Sequence, residues 1–121
     1  MNIKTHAVNF DLTDAISEYV EKKVSSLRKF IPNSENLLCE VEIGKTNHHN
    51  SGDIFKAEIN ILIPGGGQVY AKSEQAELYA AIDIVRDEAE RVIVSQKNKK
   101  DTLYRRGASH VKNLLKRISW N

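Results

Sequence analysis

The sequence predicts an α+β fold of order β-α-β-β-β-α, a four-stranded sheet with two helices packed on one face. Three observations predict it. Two stretches, around residues 16–31 and 78–93, repeat apolar residues at helical spacing. Three others, around 37–44, 55–63 and 68–72, alternate apolar with polar residues as half-buried strands do. Between them lie turn-forming stretches, Pro32-Asn33, Thr46–Asp53 and Pro64–Gly67.

In chain order, residues 2–10 read as a first strand, because Ile3, Thr5 and Val8 favour β structure. Thr13 then caps a helix through its hydroxyl, and Asp14 suits the positive end of that helix. Ile16, Val20, Val24, Leu27 and Ile31 share one face of it, and Pro32-Asn33 ends it. Leu37, Cys39, Val41 and Ile43 form the inner side of the second strand. A polar loop spans Thr46 to Asp53. Phe55, Ala57, Ile59, Ile61 and Ile63 form one side of the third strand, and Pro64-Gly65-Gly66-Gly67 reverses the chain. Val69 and Ala71 face inward from a short fourth strand ending near Lys72. Ser73 caps the second helix, where Leu78, Ile82, Val85, Ala89, Val92 and Ile93 share a face. That helix is expected to end near Lys97 or Lys100. Gly107 then interrupts a basic tail, and Val111, Leu114, Leu115 and Ile118 repeat as a short amphipathic segment.

The first strand crosses through a helix, so it should run parallel to its neighbour; the other three form an antiparallel meander. Each strand has one apolar side and each helix one apolar stripe, which places both helices on the same face of the sheet. Glu40, Glu42, Lys56, Glu58, Gln68 and Lys72 then belong to the open face. The 121 residues suit one α+β domain, 1–100, with a basic, partly helical tail, 101–121.

Composition excludes several classes. No apolar run is long enough to span a membrane, and the N-terminus lacks the pattern of a signal peptide, so the expected location is cytoplasmic. A lone cysteine, Cys39, cannot form an internal disulfide and reads as a small buried hydrophobe. His48 and His49 are adjacent loop residues without further ligands, a poor metal set. Gly65-Gly66-Gly67 lacks the Gly-Lys-Ser/Thr ending of a phosphate loop. No nucleophile setting is recognisable, so no enzyme and no cofactor are expected. The net charge of +2 conceals an asymmetry: from Lys97 onward eight basic residues face one acid, Asp101, giving +7 there and −5 elsewhere. Such a tail suits a polyanion.

Three local sequences carry a family resemblance. Leu12-Thr13-Asp14-Ala15-Ile16 opens the first helix. Ala57-Glu58-Ile59 through Ile63-Pro64-Gly65-Gly66 forms the third strand and its turn. Leu78-Tyr79-Ala80-Ala81-Ile82-Asp83 begins the second helix. In this order they resemble the ribosome hibernation-promoting factors, also called ribosome-associated inhibitors, over roughly residues 1–100. The resemblance implies a fold akin to double-stranded-RNA-binding domains. It also implies binding to ribosomal RNA of the small ribosomal subunit at the decoding channel, where messenger and transfer RNA would be blocked. Long members carry a further C-terminal domain that pairs ribosomes, and the residues after the core here are too few for one.

With that partner, the expected RNA-binding cations are Lys22, Lys23, Arg28 and Lys29 on the first helix and Arg86, Arg91 and Lys97 on the second. Lys99, Lys100, Arg105 and Arg106 extend the track. Lysine and arginine suit the task because phosphate neutralisation and counterion release supply most of the affinity for nucleic acid. Tyr79 is weighed both as a base-stacking residue and as helix packing, and Asp83 either as the partner in a structural hydrogen bond or as an i,i+3 partner of Arg86. Two other readings stand beside this one: a general RNA-binding module, and a protein-interaction domain using the sheet, the tail or outward-facing Ile84 and Val94. The amphipathic tail reads as a helix packed on this domain or on a partner chain, or as a segment that folds upon RNA, rather than as one lying on a membrane surface.

Overall fold

The computed structural model describes residues 1–32, 34–48, 52–63 and 67–117, with backbone alone at 34, 47–48 and 99–117. The first strand, β1 (Asn2–Val8), is followed by α1 (Asp14–Ser25). The Thr13 hydroxyl accepts from the Ile16 N–H at 3.2 Å, as the sequence predicts.

The α geometry does not continue to Ile31. It tightens into a 3-10 turn over Ser26–Phe30. Local hydrogen bonding explains the change: the Ser25 hydroxyl donates to the carbonyl of Lys22 at 3.2 Å, and the Ser26 hydroxyl donates to that of Lys23. The apolar stripe survives it, since Leu27 and Ile31 remain buried.

Strand β2 (Leu38–His48) pairs parallel with β1, Thr5 opposite Val41. It pairs antiparallel with β3 (Gly52–Leu62), Val41 opposite Ile59. The polar stretch expected as a loop instead lengthens this hairpin, with Thr46 opposite Ile54 and His48 opposite Gly52. The Thr46 hydroxyl donates to the Ile54 carbonyl at 3.3 Å, and Lys45 meets Asp53 at 3.3 Å. Cross-strand bonds thus carry a polar sequence that lacks an apolar face. Residues 49–51, including His49, lie outside the described residues, as do the His48 side chain and residues 64–66 of the glycine-rich turn. The end of that turn is described: the Ile63 N–H donates to the Gly67 carbonyl at 3.1 Å, and Gly67 has φ 109°, accessible to glycine.

Strand β4 (Gln68–Gln75) runs past Lys72 and includes Ser73, which does not cap a helix. The two-residue alternation of Val69 and Ala71 continues to Ser73, which is buried opposite Ala57. Glu77 takes the capping role, its carboxylate accepting from the N–H groups of Tyr79 at 3.1 Å and Ala80 at 2.8 Å. Helix α2 (Leu78–Arg117) continues through Lys100 and Gly107. One glycine costs a helix only about 1 kcal/mol, which flanking residues of high helix propensity offset.

The four strands lie in sequence order, β1-β2-β3-β4. Helix α1 packs on β1, and α2 packs on β3 and β4. The core between sheet and helices contains Ile16, Val20, Val24 and Leu27 from the first helical segment, Cys39, Val41, Ile43, Ile59, Ile61 and Val69 from the sheet, and Ala81, Ile82, Val85, Ala89 and Ile93 from α2. Each fully buried aliphatic side chain contributes about 1.5–3 kcal/mol relative to exposure. Nothing covers the outer face of the sheet among the described residues.

Candidate nucleic-acid interface

Burying one stripe of each helix leaves the opposite sides to polar residues, and the cations there are not equivalent. On α1, Lys22 is exposed and meets no acid among the described residues. On the following turn, Arg28 and Lys29 are exposed. Arg28 donates from Nε to the Ser25 carbonyl at 3.3 Å, which steadies its stem, and Lys29 holds its ammonium 5.2 Å from the Phe30 ring centroid. Neither meets a carboxylate within the described residues. Lys97 is exposed on α2.

Other cations are committed within the molecule. Lys23 faces Asp83 at 3.4 Å and lies 5.6 Å from the Tyr19 ring centroid. Arg91 forms two hydrogen bonds with Glu88, one of them from Nε at 3.1 Å. The Arg91 guanidinium holds the Glu88 carboxyl below its usual range, chiefly by that hydrogen bond.

Arg86 departs most from the expectation. Its side chain is only 13% exposed. Nε donates to the Ser26 hydroxyl oxygen at 2.9 Å, and Nη1 donates to Glu90 at 2.6 Å and to Asp87 at 3.1 Å. The guanidinium carbon sits 5.9 Å from the Phe30 ring centroid. Its Nε and Nη1 donors are taken by these partners, so Arg86 joins the helices and two neighbouring carboxylates balance its charge. Asp83 does not pair with Arg86; it accepts from the Tyr19 hydroxyl. That bond pushes the Tyr19 phenol up to about 12. Tyr79 packs edge to face on Tyr19, centroids 4.7 Å apart. Nothing in the spacing of Tyr19, Ser26 or Phe30 points to these partners, which lie about sixty residues away along the chain.

The side chains of Lys99, Lys100, Arg105 and Arg106 lie outside the described residues; their backbone continues α2. Of the remaining expectations, Ile84 is exposed, whereas Val94 is half-buried.

The open face of the sheet has another character. A shallow trough there is lined by Lys4, His6, Glu40, Glu42, Glu58, Asn60 and Tyr70. Most of the face's charges are paired: Lys56 with Glu58 at 2.7 Å, Lys72 with Glu74 at 3.3 Å, and His6 with Glu42 at 3.7 Å when protonated. Lys4, on the same face, is exposed without a carboxylate partner among the described residues, but Lys22, Arg28, Lys29 and Lys97 put most of the unpaired exposed cations on the helices. Among the described residues, no group of three His, Cys, Asp or Glu side chains could hold a metal, and no helix is long and apolar enough to cross a membrane.

Fold and surface together define a small two-layer α+β protein with most of the unpaired cations among its described residues on the helix side. The chain belongs to the family described as Sigma 54 modulation protein / S30EA ribosomal protein, which matches residues 3–101. It is 29% identical over 99 residues to a ribosome hibernation promoting factor of Azotobacter vinelandii, covering 82% of this chain and 83% of that one. A Salmonella typhimurium protein of the same name is 27% identical over 99 residues, covering 82% and 94%. A ribosome hibernation promotion factor of Staphylococcus aureus is 28% identical, and the match spans half of its length. Among solved structures, the N-terminal domain of Thermus thermophilus Protein Y superposes with TM-score 0.62 at 35% identity, covering 77% of this chain and 96% of that one. A ribosomal subunit interface protein of Coxiella burnetii shares the fold, with TM-score 0.65 at 19% identity over 81% and 99% of the two chains.

Proposed function

We propose that this chain is a ribosome hibernation factor: a non-enzymatic protein that binds ribosomal RNA of the small subunit at the decoding channel and blocks messenger and transfer RNA. Family membership over residues 3–101 carries the reading, and the names of the relatives supply its biological sense. The physical support is the distribution of charge. Lys22, Arg28 and Lys29 are exposed without acidic partners among the described residues, while three of the four lysines of the sheet, Lys45, Lys56 and Lys72, are paired and Lys4 is not. Residues 1–100 act as the binding domain. The tail, 101–121, extends the positive track begun by Lys97, Lys99 and Lys100 with Arg105 and Arg106.

Phosphate contacts and RNA shape dominate such an interface, because the base edges of a folded RNA helix are poorly accessible. With about six phosphates neutralised, log affinity falls against log salt with a slope of roughly −4 to −5. Co-sedimentation with separated ribosomal subunits at low and high salt tests the reading. Saturable, salt-sensitive binding to the small subunit that bulk RNA does not compete away supports it. Equal competition by bulk RNA favours a general RNA-binding module, and absence of binding at low salt overturns both.

A further inference from the structure

The signature Leu78-Tyr79-Ala80-Ala81-Ile82-Asp83 supplies no unpaired cation, yet two of its side chains meet α1 on the helix side. Tyr79 contacts Tyr19 edge to face, with an interplanar angle of 84°. The Tyr19 hydroxyl donates to Asp83, and Asp83 also pairs with Lys23, whose ammonium lies near the same Tyr19 ring. Tyr19 is thus held at its hydroxyl and against its ring. Tyr79 packs on the ring of Tyr19 and stays 38% exposed.

Two features decide what Tyr79 suits. The N-terminus of α2 is unavailable to an anion, because the Glu77 carboxylate occupies the N–H groups of Tyr79 and Ala80. The neighbouring Lys23 is balanced by Asp83. A phosphate therefore gains little at this point. A flat ligand that stacks gains more, because every base presents a π-face and an aromatic side chain already held in place loses little entropy on contact. Lys22 immediately precedes Lys23 on α1 and is exposed, a cation for the backbone of the same nucleotide strand.

We propose that Tyr79 is a stacking platform for one unpaired nucleobase of the RNA held by the cationic helix side, with Tyr19, Asp83 and Lys23 as its positioning residues. The proposal rests on the ribosomal-RNA reading above and adds a base contact to a surface otherwise specific for phosphates.

The test compares wild type, Tyr79→Phe and Tyr79→Leu for binding to purified small ribosomal subunits across a range of salt, with thermal melting of each protein. Stacking energies correspond to roughly tenfold or more in affinity per base. Tyr79→Phe keeps the aromatic face and retains tight binding. Tyr79→Leu keeps apolar packing on Tyr19, loses roughly tenfold, and leaves the salt slope unchanged because no phosphate contact is removed. In a Trp120→Phe background, Tyr79→Trp places a fluorophore on the platform, and its emission is quenched in the complex. Equal affinity for Leu and Phe, or an unquenched indole in a saturated complex, overturns the platform while leaving the ribosome reading intact. Failure of the wild type to bind at any salt overturns both.

Discussion

Arg86 Nε donates to the hydroxyl oxygen of Ser26 at 2.9 Å, joining α2 to the turn that closes α1. The same guanidinium bonds Glu90 and lies near Phe30, so one residue links the two helices and aligns their cationic sides. Arg86→Ala is expected to cost about 2 kcal/mol, the scale of hydrogen bonds to a charged group plus lost stem packing. Urea denaturation reads this as a lower midpoint. Arg86→Lys recovers only part of it, because lysine lacks the planar fork. Neither change is expected to alter the salt slope of the proposed RNA binding.

The Tyr19–Asp83 bond has a pH signature. Tyr19 is raised from 10.0 to about 12, first by that hydrogen bond and then by desolvation. The folded state therefore holds the phenolic proton more tightly than the unfolded state does. This contribution to stability is fully present below pH 10 and is lost as pH rises toward 12. In an ultraviolet titration, one tyrosine should ionise near pH 12, and Asp83→Asn should move it back toward its ordinary value. Tyr19→Phe should remove the late step.

Lys22, Arg28 and Lys29 are expected to act on binding and not on folding. Changing all three to glutamine removes about three phosphate contacts and should make the salt slope shallower by roughly 2–3. Their exposure predicts an almost unchanged melting temperature. Arg91→Gln should shift the slope less, since Glu88 already engages Arg91. Equal effects from Arg91 and from Lys22 would show that the internal pairs open on binding.

Cys39 is fully buried on β2, and desolvation pushes its thiol up to about 12. The native protein should resist a thiol reagent at pH 8, and reactivity should appear with the unfolding transition. Rapid native labelling would mean that the β1–β2 side opens locally.

The Ser73 hydroxyl is buried without a hydrogen-bond partner within the described residues. Ser73→Ala removes an unsatisfied group without creating a large cavity, so a stabilisation of about 1 kcal/mol is expected. Loss of stability would reveal a partner for the hydroxyl.

Much of the framework is legible in the residues. The period-two run of Leu37, Cys39, Val41 and Ile43 and the helical stripe of Ile16, Val20, Val24 and Leu27 all turn inward. Most segments that depart from the expectation are those where hydrogen bonds, not burial, decide the structure. Thr46 to His48 and Gly52-Asp53 have no apolar alternation, yet cross-strand bonding extends the hairpin through them. Ser25 and Ser26 tighten the end of α1 through their own hydroxyls. Ser73 looks like a helix cap in isolation, but the strand period carries it into the core.

The candidate site divides in the same way. Lys22 and Lys29 can be read as outward cations because they sit opposite a buried stripe on their own segment. Arg86 is expected among the same cations, on α2, and is withdrawn by Ser26, Phe30 and Glu90. The sequence by itself determined the order of elements, their inward faces and the pool of cations, since periodicity is a local property of the chain. Only the tertiary structure decided which cations remain unpaired and that Tyr79 meets Tyr19. The physical reason is distance: a pair such as Tyr19 and Asp83, 64 residues apart, leaves no periodic trace and forms only when the two helices pack on the same sheet.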